Sequence, residues 1–154
     1  MQIRSILVVC VGNICRSPMA EYLLKRDYPE LNIESAGIAG LTGHPADEKA
    51  QLCMQHLSID MSAHIAKKLN SGHLKQADLI LVMSKNQQAH IEQTWPFAKG
   101  KVFRLGHWQN KNVPDPYQHD QAFFDETCQL IQQGVTDWKN YISLLDEDYE
   151  PKYQ

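Results

Sequence analysis

Apolar positions along the chain switch between two spacings, continuous short runs and helical stripes. Ile3 to Cys10 is a run rich in Ile and Val, the pattern of a strand covered on both faces. Behind it, Ser17 is placed to cap a helix with Pro18 at its first position, running to Asp27. Leu31 to Ile38 reads as a second strand ending near Gly37, and Asp47 to Leu57 has helical spacing through Ala50, Leu52, Cys53 and Leu57. A short helix over Ser71–Gln76 precedes a strand at Asp78–Met83. A helix over Lys85–Thr94 stops before Trp95-Pro96, and Val102–Leu105 forms the fourth strand. The segment GHWQNKNVPDPYQHD is a loop, and Gln121–Leu145 is a long amphipathic helix carrying Phe124, Cys128, Ile131, Val135, Trp138 and Ile142 on one side. Residues 1–146 form one domain and 147–154 an acidic, flexible tail.

Strands alternating with helices imply right-handed crossovers and a parallel sheet covered by helices on both sides, a three-layer α/β domain. In such sheets ligands bind beyond the carboxyl ends of the strands, where Cys10 falls.

Composition narrows the field. The chain has 154 residues, enough for one domain with a real core, and its 43% hydrophobic and 21% charged content is that of an ordinary globular protein. A net charge of −3 gives no overall pull towards nucleic acid or membrane. Any anion site is therefore local. Four cysteines without a CxxC pair suit neither a secreted disulfide framework nor structural zinc. The start, MQIRSILVVC, lacks the long apolar region and cleavage site of a signal peptide. These features predict a cytoplasmic protein with reduced thiols and no stable membrane insertion.

The chemistry gathers in CVGNICRS. A free thiol ionises near pH 8.5, but beside a helix N-terminus or an arginine that value falls to about 3.5–7.5. Here Cys10 ends a strand, Arg16 and Ser17 open a helix, and Gly12 is read as the residue that lets the backbone turn tightly. The amides from Val11 through Gly12, Asn13, Ile14 and Cys15 to Arg16 can curl into a nest for a tetrahedral oxyanion, with the Arg16 guanidinium forking onto it. A structural, buried Cys10 is the alternative reading. Far along the chain, Pro114 and Pro116 bracket Asp115 and stiffen the backbone around it, as suits either a positioned acid or a plain rigid turn.

VCVGNICRSPMAE resembles the signature loop of the low-molecular-weight protein tyrosine phosphatases, and VPDPYQHD resembles that family's Asp-Pro-Tyr loop. ESAG at 34–37, DLILVM at 78–83 and GHW at 106–108 are also similar, above all to bacterial members associated with exopolysaccharide and capsule synthesis. The resemblance implies a four-stranded sheet in the order 2-1-3-4. It implies Cys10 as nucleophile, Arg16 as the phosphate-binding group, Asp115 as general acid, and Ser17 as a hydrogen-bond donor to the sulfur. Asn13 would hold the loop in shape, steadied by Ser35 and His64. On the residues alone, Asn13 serves equally as a turn residue, Ser35 as a strand-end hydroxyl and His64 as a core histidine. Tyr117, and opposite it Leu41, would wall the pocket, although Tyr117 also suits a core and Leu41 suits ordinary loop packing.

The implied reaction is phosphotyrosine hydrolysis through a cysteinyl-phosphate, with inorganic phosphate as product and no metal or cofactor. The implied partner is a phosphotyrosine protein, specifically an autophosphorylated bacterial tyrosine kinase of polysaccharide export. Relatives that hydrolyse phosphoarginine resemble threonine at the position of Ile14. Thioredoxin-coupled arsenate reductases share the first motif but carry further redox cysteines where this chain reads VMSKNQQAH. A non-catalytic phosphotyrosine-binding module is a third alternative, which would need neither thiolate nor acid. Cys15 is close enough to pair with Cys10 in a protective disulfide, or else is a small buried hydrophobe. Trp108 is expected to be packed, and Tyr149 and Tyr153 to be exposed tail residues.

Overall fold

A computed structural model describes residues 2–149, with side chains described to residue 145. Four strands, β1 (Ser5–Cys10), β2 (Asn32–Gly37), β3 (Leu79–Val82) and β4 (Val102–Arg104), form one sheet in the order β2-β1-β3-β4. All three pairings are parallel. The helices are α1 (Arg16–Asp27), α2 (Glu48–Gln55), α3 (Ser71–Gln76), α4 (Lys85–Thr94) and α5 (Gln121–Tyr149). The expected architecture and strand order therefore hold.

The alternation of side chains along β1 sorts the core into two layers. Ile6, Val8 and Cys10 pack with Met19, Leu23, Phe124, Ile131 and Trp138 of α1 and α5. Leu7 and Val9 face the other way, onto Leu74, Ile80, Val82 and Ile91 under α3 and α4. β1 thus has helices on both faces, which is why its sequence reads as a nearly continuous apolar run.

Several boundaries differ from expectation. Ser17 does not cap α1: the helix begins at Arg16, Cys15 occupies the cap position, and no side chain caps it. The hydroxyl that would have capped the helix is engaged elsewhere. Asp47 does cap α2, accepting the Lys49 amide at 2.8 Å, and Asp120 accepts the Phe123 amide at the start of α5. Asp78 stands outside β3 and accepts the amides of both Arg4 and Ser5. α5 continues to Tyr149, three residues into the stretch read as a tail; Tyr153 and the rest of 150–154 lie outside the described residues. Trp108 is packed on one face, its ring centroid 5.3 Å from that of Trp138 and 5.0 Å from that of Tyr141, and remains 46% exposed; Trp138 is the buried indole, donating to the carbonyls of Arg104 and Leu105.

Among the described residues no helix is long and apolar enough to cross a membrane.

Candidate active site

Five residues, Val11 to Cys15, carry the chain from Cys10, the last residue of β1, to Arg16, the first of α1. What shapes this loop is the capture of its carbonyls from outside. Ile38 N–H donates to the Cys10 carbonyl at 2.9 Å, Ala39 to Val11 at 2.9 Å, Leu41 to Gly12 at 3.1 Å and Asp47 to Ile14 at 2.9 Å. The Asn13 carbonyl accepts His64 Nε2 at 2.7 Å, so that nitrogen bears the hydrogen. In a trans peptide the N–H lies opposite its C=O. Carbonyls held outward leave the loop's amides for the inside, the arrangement of an anion nest.

The tight turn falls at Asn13, whose φ is 60°, and not at Gly12. Gly12 has no positive φ, and a Cβ there would meet Leu41 and Ile14 only at 3.7–3.8 Å, an ordinary contact. Asn13 tolerates the left-handed region because its carboxamide is tied down. Its Nδ2 donates to Ser17 Oγ and Ser35 Oγ, both at 2.9 Å, and its Oδ1 accepts the Lys67 amide at 3.0 Å. The glycine the loop does need is Gly37, at the end of β2. A Cβ there would lie 2.5 Å from the Val11 carbonyl and 3.0 Å from the Asn13 nitrogen.

Within this frame Cys10 Sγ lies 2.9 Å from Ser17 Oγ. Because Ser17 already accepts from Asn13, its own hydrogen is left for the sulfur. The first turn of α1 contains no acidic residue, so nothing there offsets the positive end of the helix dipole. Arg16 is buried; its Nη1 donates to the Val113 carbonyl at 2.9 Å, and its Nη2 lies 3.6 Å from Asp115 Oδ2. The fold therefore brings together two residues 105 positions apart (115 − 10 for Cys10 and Asp115) around one cavity. The Asp115 side chain is half exposed, and its Oδ1 accepts the Tyr117 amide at 3.1 Å.

The cavity has a volume of about 200 Å³ and is lined by the loop with Ala39, Leu41, Asp115 and Tyr117. Tyr117 and Leu41 are exposed rim residues, 45% and 37% accessible, rather than core. Asn13, Ser35 and His64, open to bland readings from sequence, converge on one network beneath the loop. Cys15 is a free, buried thiol lining the same cavity. Burial pushes its thiol well above the usual range, and Asp47, Cys10 and Asp115 add to this, against the opposing Arg16. Among the described residues no cluster of three or more His, Cys, Asp or Glu side chains could hold a metal ion.

Sequence reasoning missed Glu21. It lies on α1, buried, accepting a hydrogen bond from Ser35 Oγ and pairing with Lys25 Nζ at 2.5 Å. The signal was present: a carboxylate four residues after Ser17, between the apolar Met19-Ala20 and Leu23-Leu24, shares a helix face with that hydroxyl.

A thiol at the carboxyl end of a parallel strand, under an amide nest with an arginine, defines an α/β enzyme of the cysteine-phosphatase kind. Residues 5–149 match the family described as low molecular weight phosphotyrosine protein phosphatase. The chain is 75% identical over 142 residues to the low molecular weight protein-tyrosine-phosphatase Ptp of Acinetobacter johnsonii, covering 92% of this chain and all of that one. Among solved structures, the tyrosine phosphatase Wzb of Escherichia coli K30, in complex with sulphate, superposes with a TM-score of 0.88 at 38% identity, over 92% of this chain and 99% of the other. Wzb of Vibrio vulnificus, in complex with benzylphosphonate, gives 0.87 at 39% identity, over 90% and 99%. The chain belongs to the low-molecular-weight protein-tyrosine phosphatase family, and its enzymatic class is that of a phosphatase.

Proposed function

We propose that the chain hydrolyses phosphotyrosine through a phosphocysteine on Cys10. The observation that carries this reading is the meeting of Cys10 Sγ, the Ser17 hydroxyl, Arg16 and Asp115 around one small cavity. The Cys10 thiolate attacks phosphorus in line, the phosphoryl oxygens rest on the loop amides, and the Arg16 guanidinium forks onto them. Asp115 protonates the departing phenolic oxygen, a contribution of about 10²–10⁴ in rate. A water then attacks the thiophosphate with Asp115 taking its proton, and Cys10 leaves as thiolate, received by the Ser17 hydroxyl. Phosphate departs. Charge is handled throughout by preorganised amides and Arg16, so turnover should persist in excess chelator.

Tyr117 and Leu41 stand at the rim as walls for a flat aromatic ring, and Ile14 supports tyrosine over arginine as the phosphorylated residue. Benzylphosphonate, bound by the Vibrio vulnificus relative, has this shape: a ring carrying a tetrahedral anion. The client is an autophosphorylated bacterial tyrosine kinase of polysaccharide export, in the cytoplasm, as the resemblance to capsule-associated relatives supports. Reversible pairing of Cys15 with Cys10 would protect the nucleophile.

With Asp115→Asn, an aryl phosphate whose leaving group needs a proton should turn over about 10²–10⁴-fold more slowly, and rapid acid quench should trap phosphate on the peptide containing Cys10. Phosphate on another residue, or undiminished turnover, would overturn the mechanism. Equal hydrolysis of phosphoarginine and phosphotyrosine peptides would overturn the assignment of substrate. A pulldown from the native cell with Asp115→Ala identifies the client; capture without a phosphotyrosine kinase argues against that partner.

A further inference from the structure

We propose that Glu21 is a positioning residue for Cys10, setting the direction of the hydrogen-bond chain that runs through Ser35, Asn13 and Ser17 to the sulfur. This rests on the reading of Cys10 as nucleophile and extends it to a residue outside the loop.

Each link follows from what the groups can give and take. An ionised carboxylate only accepts hydrogen bonds. Ser35 Oγ therefore donates to Glu21 Oε1, which uses its hydrogen and leaves its oxygen to accept. Asn13 Nδ2 fills that role at 2.9 Å. With its NH₂ turned to Ser35, the carboxamide directs its second hydrogen to Ser17 Oγ, also at 2.9 Å. Ser17 is then an acceptor from Asn13, and its single hydrogen remains for Cys10 Sγ at 2.9 Å. Reversing the first link frees the others. If Ser35 no longer had to donate to residue 21, it could donate to the Asn13 oxygen, the carboxamide could turn over, and Ser17 could give its hydrogen to Asn13 instead of to sulfur. The Lys67 amide on Asn13 Oδ1 opposes that flip from one side, and Glu21 opposes it from the other.

Glu21 is built to stay in place. It is buried, with the Lys25 ammonium on its second oxygen supplying the countercharge a buried carboxylate needs. Lys25 also lies over the Tyr22 ring, 5.3 Å from its centroid. Glu21, Ser35 and His64 line a groove of about 580 Å³ that shares no residue with the cavity over Cys10. The chain thus links the sulfur to a second face of the protein.

The test uses Glu21→Gln, which keeps the volume but can present an NH₂ to Ser35, and Ser35→Ala, which cuts the same chain one link further on. Iodoacetate alkylation of Cys10 is measured against pH, with kcat and KM for p-nitrophenyl phosphate alongside. Both variants should move the alkylation midpoint upward by about one pH unit, a tenfold change in the acid constant of the thiol, and the pH at which kcat rises should move with it, while KM changes less than twofold. In a Ser17→Ala background, Glu21→Gln should add no further shift, because the last link is already gone. An unmoved midpoint in folded Glu21→Gln or Ser35→Ala overturns the proposal, as does an undiminished shift in the Ser17→Ala background. Alkylation requires no turnover, so this result stands apart from failure of the hydrolytic reading, which retained hydrolysis in Cys10→Ser would signal.

Discussion

Cys10 and Cys15 in the loop, and Cys53 and Cys128 on α2 and α5, are all buried, yet their sulfurs meet different partners. Cys10 faces the Ser17 hydroxyl at the start of a helix. Cys53 lies against a carboxylate and donates to Asp125 Oδ1 at 3.1 Å. Burial pushes the Cys53 thiol up, and that hydrogen bond pushes it further, to about 12. Burial raises Cys128 as well. A donor aimed at sulfur favours the thiolate, whereas an acceptor favours the thiol. Cys128 also receives a donor, but only the Gln132 amide at 3.5 Å, and Cys53 takes one from Gln121 at 3.3 Å while giving its own hydrogen to Asp125. Burial is common to all four; a hydroxyl at 2.9 Å together with a place on the cavity beside Arg16 separates Cys10 from the packed thiols of α2 and α5.

The sharpest way to break this comparison is to exchange sulfur for oxygen in both regions. Cys10→Ser should lower aryl phosphate hydrolysis by about 10⁴-fold or more, while Cys128→Ser should leave kcat/KM within about twofold and act only on stability. Comparable losses from both would erase the distinction. Mass spectrometry after limiting iodoacetate at pH 7 should find the label on Cys10, with Cys15, Cys53 and Cys128 unmodified while the protein is folded. Competing inorganic phosphate should slow that labelling. Label on Cys53 ahead of Cys10 would contradict the partners described.

A smaller effect sharpens the case from the backbone side. Gly37→Ala should displace the Val11 carbonyl, since the close contact is with backbone and cannot rotate away. We expect a stability loss of about 1–3 kcal/mol by thermal or urea unfolding, with kcat falling about 10-fold through distortion of the nest. Gly12→Ala, despite lying in the loop itself, should cost less stability, because only ordinary contacts await its Cβ. The reverse ranking would refute this account of the loop.

The smallest expected effect is alkaline. Cys53 holds its proton more tightly folded than unfolded, so its contribution is complete below the unfolded value near 8.5 and is lost as pH rises towards about 12. Unfolding free energy should therefore fall above pH 8.5 with a Cys53 component of at most about 1.4 kcal/mol per pH unit. Cys53→Ala should remove that component of the slope; an unchanged slope would mean Asp125 does not hold the thiol.

Much of the site was readable because its chemistry is local. A strand-ending thiol, a helix-opening arginine and the intervening amides are fixed within eight residues, Cys10 to Ser17. The error at Ser17 is instructive. Local capping preference favoured the helix amides, but a sulfur and a carboxamide competed for the same hydroxyl and took it. Gly12 was misjudged for a related reason: the left-handed residue is an asparagine whose side chain is anchored from β2 and from the segment leading to α3.

The periodicity of the chain alone determined that β1 is covered on both faces, that strands and helices alternate, and that a thiol falls at a carboxyl strand end, because burial writes itself into spacing. Tertiary structure decided the rest: that Asp115 stands 3.6 Å from Arg16, that His64 and Lys67 hold Asn13, and that Glu21 terminates the chain leading to Cys10. Hydrogen-bond geometry is selective within tenths of an ångström, and contacts between distant segments leave no period behind them; only the packed sheet and its crossovers bring such groups within reach.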